Sequence, residues 1–178
     1  MSTTVKLYLL TELRRKRAMF NLLNRSTQAT ELVSSKLYDQ NTFYEAFLKD
    51  LSNCHSEVII ECPFITNRRL KILIPTLEKL KTRRVRIAIN TRDPRTHDEG
   101  YWQDDATEAI SKLQHMGVQV LYTGNHHRKV AILDRQILYE GSLNILSQSN
   151  SSEIMRRIES VPLAWQMVRF IGIDKLLV

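Results

Sequence analysis

The sequence predicts an α/β protein: a mixed, mostly parallel sheet flanked by helices, preceded by an N-terminal helical extension over residues 1–40. Two observations carry this. The apolar runs EVIIEC (57–62) and RVRIAIN (84–90) read as buried strands, and a segment with apolar residues at helical spacing separates them. Strand, helix and strand in that order indicate a parallel β-α-β unit. Further on, KVAIL (129–133) and QILY (136–139) read as two strands joined by a turn at Asp134-Arg135.

Taken in order, residues 5–23 repeat Leu9, Leu10, Leu13, Phe20 and Leu23 at helical spacing and carry the basic run Arg14 to Arg17. Such a helix could lie on DNA or an anionic membrane, but a docked helix with solvated charges is the favoured reading. Residues 24–30 are a polar linker, and 30–38 a second helical segment. Asn41-Thr42 caps a helix bearing Phe43, Phe47 and Leu51. Pro63 ends the first strand, and Asn67 caps a helix with Leu70, Leu73, Leu77 and Leu80. Residues 91–102 form a polar loop that follows a strand, where open α/β sheets bind ligands. Its arginines and aromatics could hold phosphates and stack bases. Asp93, His97 and Asp98 there are rejected as a metal site. A helix at 103–116 stops at Gly117, and 118–122 is a third strand. After the hairpin come a strand at 154–159 and a final helix with Pro162 in its first turn.

At 178 residues the chain has room for one domain with a substantial core, placed at 41–178. A net charge of +7 and a pI of about 9.6 favour a polyanionic partner. Cys54 and Cys62 form no C-x-x-C pair, so a zinc site is rejected and Cys62 reads as a buried free thiol. No apolar run reaches membrane-span length and residues 1–6 open no signal peptide. A cytoplasmic protein without stable membrane association is expected.

Chemistry concentrates in residues 127–153. Side chains two apart on a strand share a face, so His127 pairs with Lys129, and Ser142 with Asn144. If the two faces meet, an imidazole, an ammonium, a hydroxyl and an amide converge, which is a phosphate-handling set. His126 falls on the opposite face and reads as a bystander.

The spacing H-x-K-x4-D-x6-G-S-x-N, filled by His127, Lys129, Asp134, Gly141, Ser142 and Asn144, resembles the HKD signature of the phospholipase D superfamily. It is closest to that superfamily's small single-motif bacterial endonucleases, whose downstream glutamate is matched by Glu153. The resemblance implies a phospholipase D-like fold with 41–178 as the catalytic domain. It implies a metal-independent phosphodiesterase without cofactor, an endonuclease that cleaves DNA or RNA, DNA being the favoured reading. His127 would form a phosphohistidine. A second His127 from a homodimer partner would act as the acid. Lys129, Ser142 and Asn144 would hold phosphate oxygens. Glu153 would accept from His127 Nδ1–H, and Asp134 would orient a histidine or hold the hairpin. Nucleic-acid contacts are expected at Arg68, Arg69, Arg92, Arg95, Trp102 and Arg128. The alternatives are a phospholipase D-type lipid hydrolase and a binding module of mobile-element or restriction machinery.

Overall fold

In the computed structural model, which describes residues 32–96 and 100–175 but not the side chains of 100–102, the strand segments join one seven-stranded sheet. The strands are β1 (Ser34–Asp39), β2 (Glu57–Glu61), β3 (Arg86–Thr91), β4 (Gln119–Tyr122), β5 (Val130–Leu133), β6 (Ile137–Gly141) and β7 (Ile154–Glu159). The helices are α1 (Phe43–Ser52), α2 (Asn67–Thr82), α3 (Gly100–His115) and α4 (Val161–Ile171). Strand order is β1-β7-β6-β5-β2-β3-β4.

The sheet is mixed, as expected, but not mostly parallel. β2, β3 and β4 run parallel through the helical crossovers α2 and α3. β5 enters antiparallel to β2, and β6, β7 and β1 continue antiparallel. The β5–β6 pair is antiparallel because the tight turn between them can only reverse the chain.

Each face builds its own core. Val58, Ile60, Ala131, Leu133 and Tyr139 point to the side covered by α1, α2 and α3. Ile59, Val130, Ile132, Leu138 and Ile158 point the other way and meet Ala164 and Val168 of α4. This alternation is the pleat of a sheet buried on both sides. Fully burying a Leu or Ile here contributes roughly 1.5–3 kcal/mol each.

Several local expectations change. Residues 34–39 are a strand and not part of a helix, because they pair along β7 from Ser34 opposite Glu159 to Asp39 opposite Ile154. Residues 34–39 of the supposed extension therefore supply an edge strand. The helix expected at 5–23, with its basic run, lies outside the described residues. Helix α2 is capped by Thr66, whose hydroxyl accepts from Arg69 N, while Asn67 is its first residue. The Asn67 amide instead donates to Asp105 and Glu108 of α3. Thr42 sits at the start of α1 without capping it by its side chain; Asp39 accepts from Asn41 N and Thr42 N. Gly117 ends α3 with φ +74°, which favours glycine.

Candidate active site

The topology brings most of the motif to one end of the sheet. Val130 of β5 lies opposite Glu140 of β6 and opposite Glu61 of β2, and Gly141 lies opposite Met155 of β7. The start of β5, the end of β6, the start of β7 and the end of β2 therefore share an edge. His127 and Lys129 precede β5, Ser142 and Asn144 follow β6, and Glu153 precedes β7. Asp134 stands at the opposite end of β5.

His127 is exposed, and its ring meets Phe64 edge-on at 5.9 Å between centroids. Lys129 Nζ lies 3.2 Å from His127 Nδ1 and donates to the His127 carbonyl at 2.7 Å. The expected shared face is therefore realised. An ammonium can only donate, so Nδ1 can take part in this contact only as the acceptor. The expected bond from Nδ1–H to Glu153 is not formed. Glu153 is held by its neighbours: Ser151 Oγ donates to its carboxylate at 2.9 Å, and its N–H donates to Gln40 at 3.0 Å. Gln40 was hidden in the supposed helical extension, and only the β1–β7 pairing brings it here.

Ser142 is tied to β7, since its hydroxyl accepts from Ile154 N at 3.1 Å. Gly141 beside it is required by space: a Cβ would stand 2.3 Å from the Ile154 carbonyl oxygen. Asn144 starts a turn, its carbonyl accepting from the N–H groups of Ser147 and Gln148. Its Oδ1 is buried without a hydrogen-bond partner. Such an atom carries a desolvation penalty of about 1–3 kcal/mol unless something fills the position. Beneath the edge, Cys62 is a buried free thiol as expected, and burial pushes its pKa up to about 11.

Asp134 takes no part in this edge. Its carboxylate accepts from the N–H groups of His55, Ser56 and Glu57 and from Ser56 Oγ, all at 2.8 Å. Burial opposes its charge, but these donors outweigh it and hold the carboxyl below its ordinary value. Asp134 and Arg135 both have positive φ, 51° and 53°, and stand at the centre of the tight turn that Gln136 N closes on the Leu133 carbonyl. Arg135 is held there by Glu57 and Asp174 and by stacking over Trp165 at 4.2 Å. The aspartate holds the hairpin, at the end of β5 away from the other motif residues.

His126 is buried, in contrast to exposed His127, with neither ring nitrogen partnered. Burial, the largest influence, lowers its pKa.

The proposed nucleic-acid contacts divide. Arg68 is exposed, and Arg92 is half-buried over the Phe64 ring at 5.5 Å, adjoining His127. Arg69 is committed to the Gln148 carbonyl and the Tyr44 ring, and Arg95 pairs with Asp93. Arg128 is committed to buried Glu61. The side chain of Trp102 lies outside the described residues, as do His97 and Asp98. Among the described residues no group of three or more His, Cys, Asp or Glu side chains could hold a metal ion, and no helix is long and apolar enough to cross a membrane.

A family profile described as "Cardiolipin synthase, PLD-like domain" matches residues 47–171. No curated protein matches the sequence. Among solved structures, the chain is similar to a phospholipase D family member, Nuc from Salmonella typhimurium. The two are 18% identical over 77% of this chain and 90% of that one, with a TM-score of 0.62. NucT from Helicobacter pylori gives 18% identity, 77% and 92% coverage and a TM-score of 0.58. The archaeal chromatin protein TrmBL2, described with a novel mode of DNA binding, gives 14% identity, 95% and 62% coverage and a TM-score of 0.53.

Proposed function

The chain belongs to the phospholipase D-like family, and from that premise we propose that it is a metal-independent phosphodiesterase, an endonuclease that cleaves DNA or RNA, DNA being the favoured reading. The observation that carries the reading is the exposed His127 imidazole with the Lys129 ammonium 3.2 Å from its Nδ1. A nucleophile and a phosphate-binding cation stand side by side. The net charge of +7 supports a polyanionic substrate.

A bound phosphate would draw Lys129 toward its nonbridging oxygens and release Nδ1. The ring proton can then reside on Nδ1, leaving Nε2 with a free lone pair for phosphorus. Attack forms a P–N bond and breaks the P–O bond to the leaving alkoxide, which takes a proton from a second imidazolium. Water then opens the phosphohistidine, giving up its proton to that same, now neutral, imidazole. Lys129, Ser142 and the Asn144 amide stabilise the oxygens throughout. The second imidazole is the His127 of an identical subunit, so the working enzyme is a homodimer with its site on the two-fold axis.

The test is incubation with plasmid DNA, single-stranded DNA, RNA and lipid vesicles, all in excess EDTA. Nucleic-acid cleavage should persist, and His127→Ala should lower it by at least ~10²–10⁴-fold. Activity that disappears in EDTA and returns with magnesium would refute the mechanism. The description of the matching family favours a phosphatidyl substrate as the second reading, and hydrolysis confined to the vesicles would establish it.

A further inference from the structure

The segment carrying His127 and Lys129 is not a strand. Residues 125–129 run in irregular backbone between β4 and β5, and pairing with β2 and β6 begins at Val130. One backbone bond reaches into the segment, from Gly141 N to the Lys129 carbonyl at 3.4 Å. Ladder hydrogen bonds therefore do not determine which way the two side chains face, and that task falls to a side-chain anchor.

Arg128 is the anchor. Its Nε and Nη2 donate to Glu61, which closes β2 and is 1% exposed. Glu61 also accepts from Asn90 Nδ2 at 2.7 Å, and Asn90 Oδ1 accepts from Thr123 Oγ1 at 3.1 Å. One carboxylate thus ties the ends of β2 and β3 to the segments leaving β4 and entering β5. Lys129 Nζ lies against the His127 ring, while the guanidinium of Arg128 between them turns away to Glu61. Holding Arg128 at Glu61 therefore fixes the short segment on which His127 and Lys129 stand. Buried His126 lies within the electrostatic reach of both members of the Arg128–Glu61 pair. A buried ion pair is weak grounds for stability, because desolvation consumes most of its attraction. Fixing a geometry is the better account of this one.

We propose that Glu61 is a positioning residue: acting through Arg128, it sets the direction in which His127 and Lys129 are presented. This rests on reading those two residues as the site.

The test compares Glu61→Gln and Arg128→Lys with Arg86→Gln, which breaks the ion pair with Glu57 at the opposite end of β2. Kinetics on DNA in EDTA and hydrogen exchange are both measured well below each melting temperature. Displacing a reacting group by about 1 Å can cost about 10²-fold. The two site variants should therefore lose ~10–100-fold in kcat with KM unchanged, and Arg86→Gln should lose none. Exchange should rise in the peptide spanning residues 123–130 and hold constant in β2, β3 and β6. Unchanged kcat and exchange would overturn the proposal. So would a uniform rise in exchange, which marks a general structural role, or a raised KM at constant kcat, which marks Arg128 as a substrate contact. Should the wild-type protein cleave no substrate, the proposed function fails, and exchange alone decides whether Glu61 holds the segment. If Glu61→Gln does not fold, Arg128→Lys carries both measurements.

Discussion

Asp134→Asn separates two jobs for the motif aspartate. In the structure its carboxylate accepts four hydrogen bonds at 2.8 Å, three of them from consecutive backbone N–H groups. Asparagine keeps the shape but turns an NH2 toward at least one of those donors. Bonds to a charged acceptor contribute about 1.5–3 kcal/mol each and neutral ones about 0.5–1.5. His55 and Ser56 are exposed, so water recovers part of the loss. A net cost of about 2–3 kcal/mol follows, or a melting point lowered by about 4–12 °C for a chain of this size. The site at the other end of β5 is untouched, so kcat measured well below both melting points should equal the wild-type value. The sign with pH is determined. The Asp134 carboxyl is held below its ordinary value of 3.8, so its stabilisation is fully present above that pH and lost as pH falls through the lower folded value. The gap between the two melting curves should be constant from neutrality to about pH 5 and close at strongly acid pH. The assay pairs thermal melts with initial rates. A variant with unaltered melting but a hundredfold lower kcat would return Asp134 to the chemistry and refute the structural reading.

Random redistribution of wild-type and His127→Ala subunits should give activity that follows the square of the wild-type fraction, because each shared site needs both imidazoles; a straight line would show independent sites. Gly141→Ala should destabilise by at least about 1–3 kcal/mol and depress activity, since its Cβ would press on the β7 backbone and displace Ser142; a melting point equal to wild type would contradict that crowding. His126→Ala should lower the melting point, as expected for a buried ring, and leave the phosphohistidine step intact; failure to trap labelled phosphate on the protein would make His126 part of the chemistry. DNA binding by His127→Ala should weaken with salt at a log-log slope of about −0.9 per phosphate neutralised, and salt-insensitive binding would argue against a nucleic-acid substrate.

What the sequence discloses here depends on distance along the chain. The hairpin turn at Asp134-Arg135, the shared face of His127 and Lys129 and the parallel β-α-β unit are local, so spacing and periodicity suffice to find them. β1 escapes because its partner β7 begins more than a hundred residues later, and SSKLYD has no strong alternation of its own. With β1 goes Gln40, whose contact with Glu153 exists only through that pairing. The direction in which β5 joins β2 is also invisible locally, which is why a mostly parallel sheet was the natural extrapolation. Glu61 is the subtler case. In EVIIEC it resembles a strand's polar terminus, and its burial follows only from Arg128 and Asn90 arriving from distant segments. The motif aspartate shows the reverse: spacing places it in the signature, while the fold puts it at the far end of the strand.

The two faces of the sheet are completed at different times. Helices α1, α2 and α3 are interleaved with the first strands, so their side can close while the chain is being made. Among the described residues, the opposite side waits for α4, which follows every described strand. At ~5–20 residues per second of synthesis, the stretch from Gly141 to Ile171 takes roughly 2–6 seconds. Through that interval Ile59, Val130, Ile132 and Leu138 form an uncovered apolar surface on a nascent chain. Such a surface is a natural landing place for a chaperone, and in its absence for another unfinished copy. Yield during expression should therefore respond to changes in the apolar side of α4, and to the pace of translation across its codons, more sharply than to comparable changes in α2.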